Sequence, residues 1–227
     1  MKLIRTMAFL AASASFAATT AHAADNFATQ EEISSAIEVA FGATITSRYV
    51  SRGVANSDGP ALQAYLEPSY GMFYAGVWAS TVDLDPDDVE IDLYVGIRPQ
   101  FGDLSLDIGY VRYLYDNTGD CCGEIYGKAN YAFTEAFSAG VELYFDPEND
   151  TTYGVVGAEV GLPYDFTLSG GVGTWFEDDM DWNVGLSYTF EDMITIDARY
   201  HDSDHSPARF VASLSFDSSF KLFDHRR

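Results

Sequence analysis

Val89-Glu90-Ile91-Asp92-Leu93-Tyr94-Val95-Gly96-Ile97-Arg98-Pro99-Gln100-Phe101-Gly102-Asp103-Leu104-Ser105-Leu106-Asp107-Ile108-Gly109-Tyr110-Val111-Arg112-Tyr113-Leu114-Tyr115 alternates apolar and polar residues in two runs. Val89, Ile91, Leu93, Val95 and Ile97 share one face of a strand, because strand side chains alternate between faces. Leu104, Leu106, Ile108 and Tyr110 repeat the pattern, and Gly102-Asp103 between the runs is a two-residue hairpin turn. Pairing Phe101 with Leu104 sets Ile97 opposite Ile108 and Val95 opposite Tyr110. The same register sets Gly96 opposite Gly109 and Arg98 opposite Asp107. One register satisfies both faces, and a slip by one residue would expose the apolar set on the wrong side.

Such strands fit a soluble sandwich or a membrane barrel. About ten residues is the length a tilted strand needs to cross a bilayer. Working outward, the alternation predicts twelve strands, at 36–52, 60–69, 72–82, 89–101, 104–115, 124–133, 137–145, 152–162, 166–176, 182–190, 194–201 and 209–220. The predicted connections alternate between two or three residues (70–71, 102–103, 134–136, 163–165, 191–193) and longer acidic loops (53–59, 83–88, 116–123, 146–151, 177–181, 202–208). Short turns on one rim and long loops on the other are the pattern of an up-and-down transmembrane barrel. A Greek-key sandwich has no reason to produce it. The expected fold class is therefore all-β: a single up-and-down antiparallel transmembrane β-barrel of twelve strands, spanning 36–220.

Residues 1–23 read as a secretory signal peptide. Lys2 and Arg5 precede an apolar run from Met7 to Ala18, and Ala21-His22-Ala23 is a small-residue cleavage site. Residues 24–35 read as a periplasmic lead-in and 221–227 as a periplasmic tail. This address takes the chain out of the bacterial cytoplasm, and the barrel reading then sets it in the outer membrane, with lipid and lipopolysaccharide as its surroundings. The formal charge of −23 excludes non-specific nucleic-acid binding, which needs a basic surface. Aromatic residues make up 15% of the chain, enough for two interfacial girdles. Phe101, Phe133, Phe137, Phe166 and Phe190 fall at the short-turn rim. Tyr113, Tyr115, Tyr144, Phe145, Trp175 and Trp182 fall toward the long loops.

Ser47-Arg48-Tyr49-Val50-Ser51-Arg52-Gly53-Val54, Asn56-Ser57-Asp58, Pro60-Ala61-Leu62-Gln63 and the run from Tyr74 to Asp83 resemble the Gcw_chp, or TorF-like, family of proteobacterial proteins named as porins from their expected architecture. Glu124-Ile125-Tyr126 is a shorter echo of the same family. Asn56 stands where the family usually has Gln, and Ala79 where it often has Gly, so no loop role of that glutamine carries over. The resemblance implies a barrel and names no substrate.

Strand parity nominates the barrel interior as the functional surface. The predicted lumen-lining acids are Glu38, Glu67, Glu90, Asp92, Asp107, Glu124, Glu142, Glu159 and Asp197. The predicted lumen-lining bases are Arg48, Arg52, Arg98, Lys128 and Arg199. Acids exceed bases, which implies a channel for small solutes or ions with a mild cation preference. The alternative is a plugged structural or adhesion barrel, since barrels of eight strands fill with side chains and those of sixteen keep a channel. Glu90 and Asp92 are expected at the outer mouth. Arg112 falls on the lipid face opposite Leu93, where lipopolysaccharide phosphates are its expected partners.

Catalytic signals are weak. No nucleophile motif surrounds His201, His205 or Ser203, and an outer-membrane hydrolase is a remote alternative. Asp83-x-Asp85-x-Asp87 starts like a calcium loop but has Asp88 and Tyr94 where Gly and Glu are needed. No cofactor or metal is called for. Cys121-Cys122, in an oxidising compartment, can form a vicinal disulfide, bridge to another chain or carry a lipid or thiol adduct.

Overall fold

The computed structural model describes residues 36–176 and 179–222. The segments read above as a signal peptide (1–23) and a periplasmic lead-in (24–35), and residues 223–227, lie outside them. The elements are β1 (Ile37–Thr46), β2 (Val50–Ser51), β3 (Val54–Ala55), β4 (Ala61–Tyr70), β5 (Phe73–Leu84), β6 (Asp87–Ile97), β7 (Gln100–Phe101), β8 (Leu104–Tyr115), β9 (Gly119–Thr134), β10 (Phe137–Asp146), β11 (Thr151–Leu162), β12 (Phe166–Thr174), β13 (Met180–Phe190), β14 (Ile194–Ser203) and β15 (Arg209–Leu222). Neighbours in sequence pair antiparallel around the wall, and β1 pairs with β15, so the sheet closes. β6 and β7 act as one wall strand interrupted at Arg98-Pro99, because proline has no N–H for the ladder. With β2 and β3 set apart as a separate small hairpin, the wall has twelve strands.

The decisive hairpin has the expected register. Phe101 pairs with Leu104, Ile97 with Ile108, Gly96 with Gly109 and Val95 with Tyr110. Val95, Ile108, Val156 and Ile196 remain 53, 49, 60 and 56% exposed, on four different strands. A soluble sheet would bury that face. A barrel hands it to lipid, and closure satisfies every wall amide without an edge. Phe101, Phe133, Phe166 and Phe190 are exposed at the short-turn rim, and Phe145 and Trp182 toward the other.

Several boundaries differ from the sequence expectation. β1 stops at Thr46, and residues 47–60 leave the wall, so the predicted strand 36–52 is too long. The loop expected at 83–88 is only 85–86, and that at 116–123 only 116–118, because β5, β6, β8 and β9 continue beyond the expected rim. Lys221 and Leu222, expected in the tail, belong to β15 and pair with Glu38 and Ile37. Tyr113, Tyr115 and Tyr144 are buried inside the barrel and Trp175 packs against them, so these four are not part of a lipid girdle. Their parity explains it: Tyr113 pairs with Asp92 and Tyr115 with Glu90 on the inner face.

Interior glycines seat three further tyrosine rings. Tyr94 lies over Gly76, Tyr74 over Gly96 and Tyr126 over Gly109, where an added Cβ would meet the tyrosine at 2.4 Å. A missing side chain lets each ring lie flat on the neighbouring strand, which keeps large residues against the wall.

Candidate functional site

The segment 47–60 folds into the barrel. Val50 pairs with Ala55 and Ser51 with Val54, making a hairpin whose turn is Arg52-Gly53. Their φ angles of 46° and 77° match the two left-handed positions of a tight hairpin turn. Glycine takes this conformation freely, whereas arginine does so rarely and needs its surroundings to hold it.

Those surroundings are specific. Arg52 Nη1 and Nη2 donate to Glu124 Oε1 and Oε2 at 2.7 and 2.8 Å, nearly half-way round the wall from β1. Tyr113 Oη donates to Glu124 Oε2 at 2.7 Å. The guanidinium lies 4.3 Å from the Tyr144 ring, 4.7 Å from Tyr153 and 5.2 Å from Trp175. Ser203 Oγ donates to the Gly53 carbonyl at 2.8 Å, tying the turn to β14. At the hairpin base, Tyr49 N donates to Ser57 Oγ at 2.8 Å and Asn56 N to the Tyr49 carbonyl at 2.8 Å. Tyr49, Ser51, Arg52, Asn56 and Ser57 are all buried. The hairpin is thus a bar across the interior, anchored on two sides.

Below it lies a second charged group. Arg98 reaches Glu67 at 2.5 and 3.0 Å and Asp107 at 3.2 Å, and stacks 3.7 Å from the Tyr74 ring. Tyr74 Oη hydrogen-bonds Asp107 and lies 2.6 Å from Tyr126 Oη. Lys128 Nζ is 3.8 Å from Glu142, whose carboxylate also accepts from Tyr144. A third group is Arg199, which donates to Asp197 at 3.0 Å, Asn183 Oδ1 at 2.6 Å and Ser169 Oγ at 2.8 Å.

The remaining candidates divide. Glu90 accepts from Tyr115 at 2.9 Å and is fully buried, as Asp92 is, so neither stands at an open outer mouth. Glu38 accepts from Ser219 at 2.8 Å near the short-turn rim, and Glu159 pairs across the sheet with Ser138 and Ser169. Arg48 donates to the Asp58 carbonyl within the inward loop. Arg112 shares the exposed face with Leu93, and its guanidinium binds Asp120 at 2.6 Å and also Glu148. Carboxylates of β9 and of the β10–β11 loop therefore occupy the arginine expected to meet lipopolysaccharide phosphates. Cys121 and Cys122 are joined by a disulfide. Cys121 is the extra residue of a β-bulge, since Tyr113 pairs with Cys122 and Leu114 with Asp120. Asp83 accepts from the Asp58 amide, and Asp87 from Asn117 and Thr118. His205 contacts Asp179 at 3.4 Å.

A closed wall with an apolar exterior and a charged interior defines a β-barrel of the outer-membrane type. A family model described as "Bacterial protein of unknown function (Gcw_chp)" matches residues 30–222, and the chain belongs to that family. No curated protein matches the sequence. Among solved structures, the KdgM porin is similar with a TM-score of 0.59 at 10% identity, over 79% of this chain and 98% of that one. The KdgM porin in complex with disordered oligogalacturonate gives 0.56 at 9%, over 82 and 99%. The NanC porin gives 0.52 at 14%, over 82 and 100%. At these identities the likeness is one of fold.

Proposed function

We propose that this protein is a passive outer-membrane channel for small polar solutes or ions, narrowed by the Arg52 hairpin. The hairpin's inward course carries the reading. A barrel built only as a wall could leave this segment outside, whereas a bar anchored inside the lumen restricts what passes. The interior is also lopsided. Tyrosines crowd the β5–β10 side. Along β11–β13 the inward positions Gly157 and Gly171 carry no side chain, and Ser169 and Asn183 hold Arg199 flat against that wall, which favours a passage on this side over one on the tyrosine-filled side.

Lumen acids exceed lumen bases, and a net negative, narrow surface concentrates cations and repels anions. A mild cation preference follows, and it weakens at high salt as screening shortens the reach of the fixed charges. The filling around Tyr49, Tyr113 and Glu90 favours a second reading, a closed structural barrel. Single-channel recording in planar bilayers separates the two: the channel gives discrete conductance steps, and the closed barrel gives none.

A further inference from the structure

Arginines in this chain have carboxylates to spare, with 35 acids for 12 bases. Arg52, Arg98, Arg112 and Arg199 each take at least one within 4 Å. Arg48 and Arg209 do not, among the described residues. Arg48 donates to the Asp58 carbonyl and Arg209 Nε to the Pro207 carbonyl at 3.0 Å. Ser47 N donates to the Ala212 carbonyl at 2.8 Å and Ala212 N to Ser47 Oγ at 2.9 Å, which brings Arg48 against β15 three residues from Arg209, with Asp58 beside Arg48. Arg209 Nη1 is buried and has no hydrogen-bond partner. A cationic donor left unpaired costs more than the same donor paired, so such a group is ordinarily matched.

Arg209 pairs directly with His201 across β14 and β15, and His201 pairs with Asn183 on β13. Arg199 is already held by Asp197, Asn183 and Ser169, so its fork is spent. Phe210, the next residue, points outward and is exposed, so Arg209 faces the lumen and not the lipid.

We infer that Arg48 and Arg209, with His201 beside them, form an oxyanion-binding station in the upper lumen, for a small solute bearing a carboxylate or phosphate group. Guanidinium groups match both oxyanions with paired N–H donors. The station opposes the acid-rich wall of β5–β10, so a bound solute lies in a transverse field. This goes beyond the channel reading, because binding does not require conduction.

The test is isothermal titration of the refolded barrel in detergent with sodium gluconate, sodium phosphate and, as the uncharged counterpart of gluconate, sorbitol. Saturable binding of gluconate or phosphate, without binding of sorbitol, is expected; the preferred anion tells a carboxylate solute from a phosphate one. Arg48→Gln with Arg209→Gln should weaken binding at least tenfold, Arg209→Lys should weaken it partly, and Arg112→Gln should leave it unchanged. Heat-modifiable gel migration checks that each variant folds, and Arg209→Gln alone serves if the double variant does not. Absence of anion binding by the wild type, or equal binding by a folded Arg209→Gln variant, overturns the inference. Conductance of the same preparation is read separately, so a silent channel that still binds gluconate leaves the station standing.

Discussion

Arg52 and Glu124 meet through two parallel hydrogen bonds of 2.7 and 2.8 Å across the barrel, although 72 residues separate them in sequence. Both side chains are almost wholly buried. Breaking such a pair from one side strands a charge in the interior, at a cost of about 3–5 kcal/mol. Arg52→Ala and Glu124→Gln should each lower the unfolding free energy by an amount of that order, read by urea denaturation in lipid vesicles. Arg52→Met with Glu124→Met should recover most of the loss. Single variants as stable as the wild type would show that the pair does not hold the hairpin.

Arg98 is shared between Glu67 and Asp107, so its charge cannot simply be exchanged with Asp107. Arg98→Asp with Asp107→Arg puts a new carboxylate beside Glu67. The swap should cost about 1–2 kcal/mol, below the figure for a fully buried pair because this guanidinium is partly wet. A neutral swap in the same unfolding assay would mean that Glu67 is not a true partner.

Asp87 gives a pH-dependent latch at the loop rim. Burial raises its pKa, but hydrogen bonds from Thr118 Oγ1 and from the Thr118 and Asn117 amides outweigh that and hold it below the usual carboxylate value. A depressed folded pKa means that the contact is fully present above the unfolded value, about 3.9, and is lost as pH falls through the folded one. NMR titration of the Asp87 carboxyl should show a midpoint below that of a free aspartate. A midpoint at or above it contradicts the latch.

Orientation follows from strand direction and is open to labelling. Single cysteines at Glu148 and Asp150, in a Cys121→Ser, Cys122→Ser background, should react with an impermeant maleimide on intact cells. A cysteine at Glu135, in the turn between β9 and β10, should react only after the outer membrane is opened. Equal labelling of both sites on intact cells rules the orientation out.

The wall was legible because period two and turn chemistry are local, and Ile97–Ile108 and Val95–Tyr110 satisfy both at once. The inward hairpin was not, because Arg48 and Arg52 keep the polar parity of β1 and Tyr49 its apolar one, and so mimic a longer strand. Leaving the wall is a tertiary choice, made by Glu124 and a ring of aromatic side chains far away in sequence. One local signal was present: Arg52-Gly53 between Val50-Ser51 and Val54-Ala55 has glycine at the second turn position of a tight hairpin. The buried tyrosines were readable as well. Parity sets Tyr113 beside Asp92, and nearness to the rim was the weaker argument.

Single-channel conductance of the wild type beside Arg52→Ala, in planar bilayers with a salt gradient, tests the central claim most directly. The hairpin reading predicts discrete steps for the wild type, a cation-signed reversal potential, and steps at least twofold larger once Arg52 no longer pins the bar. Silence from both proteins, each shown to be folded by heat-modifiable migration, would contradict the channel and leave a closed barrel.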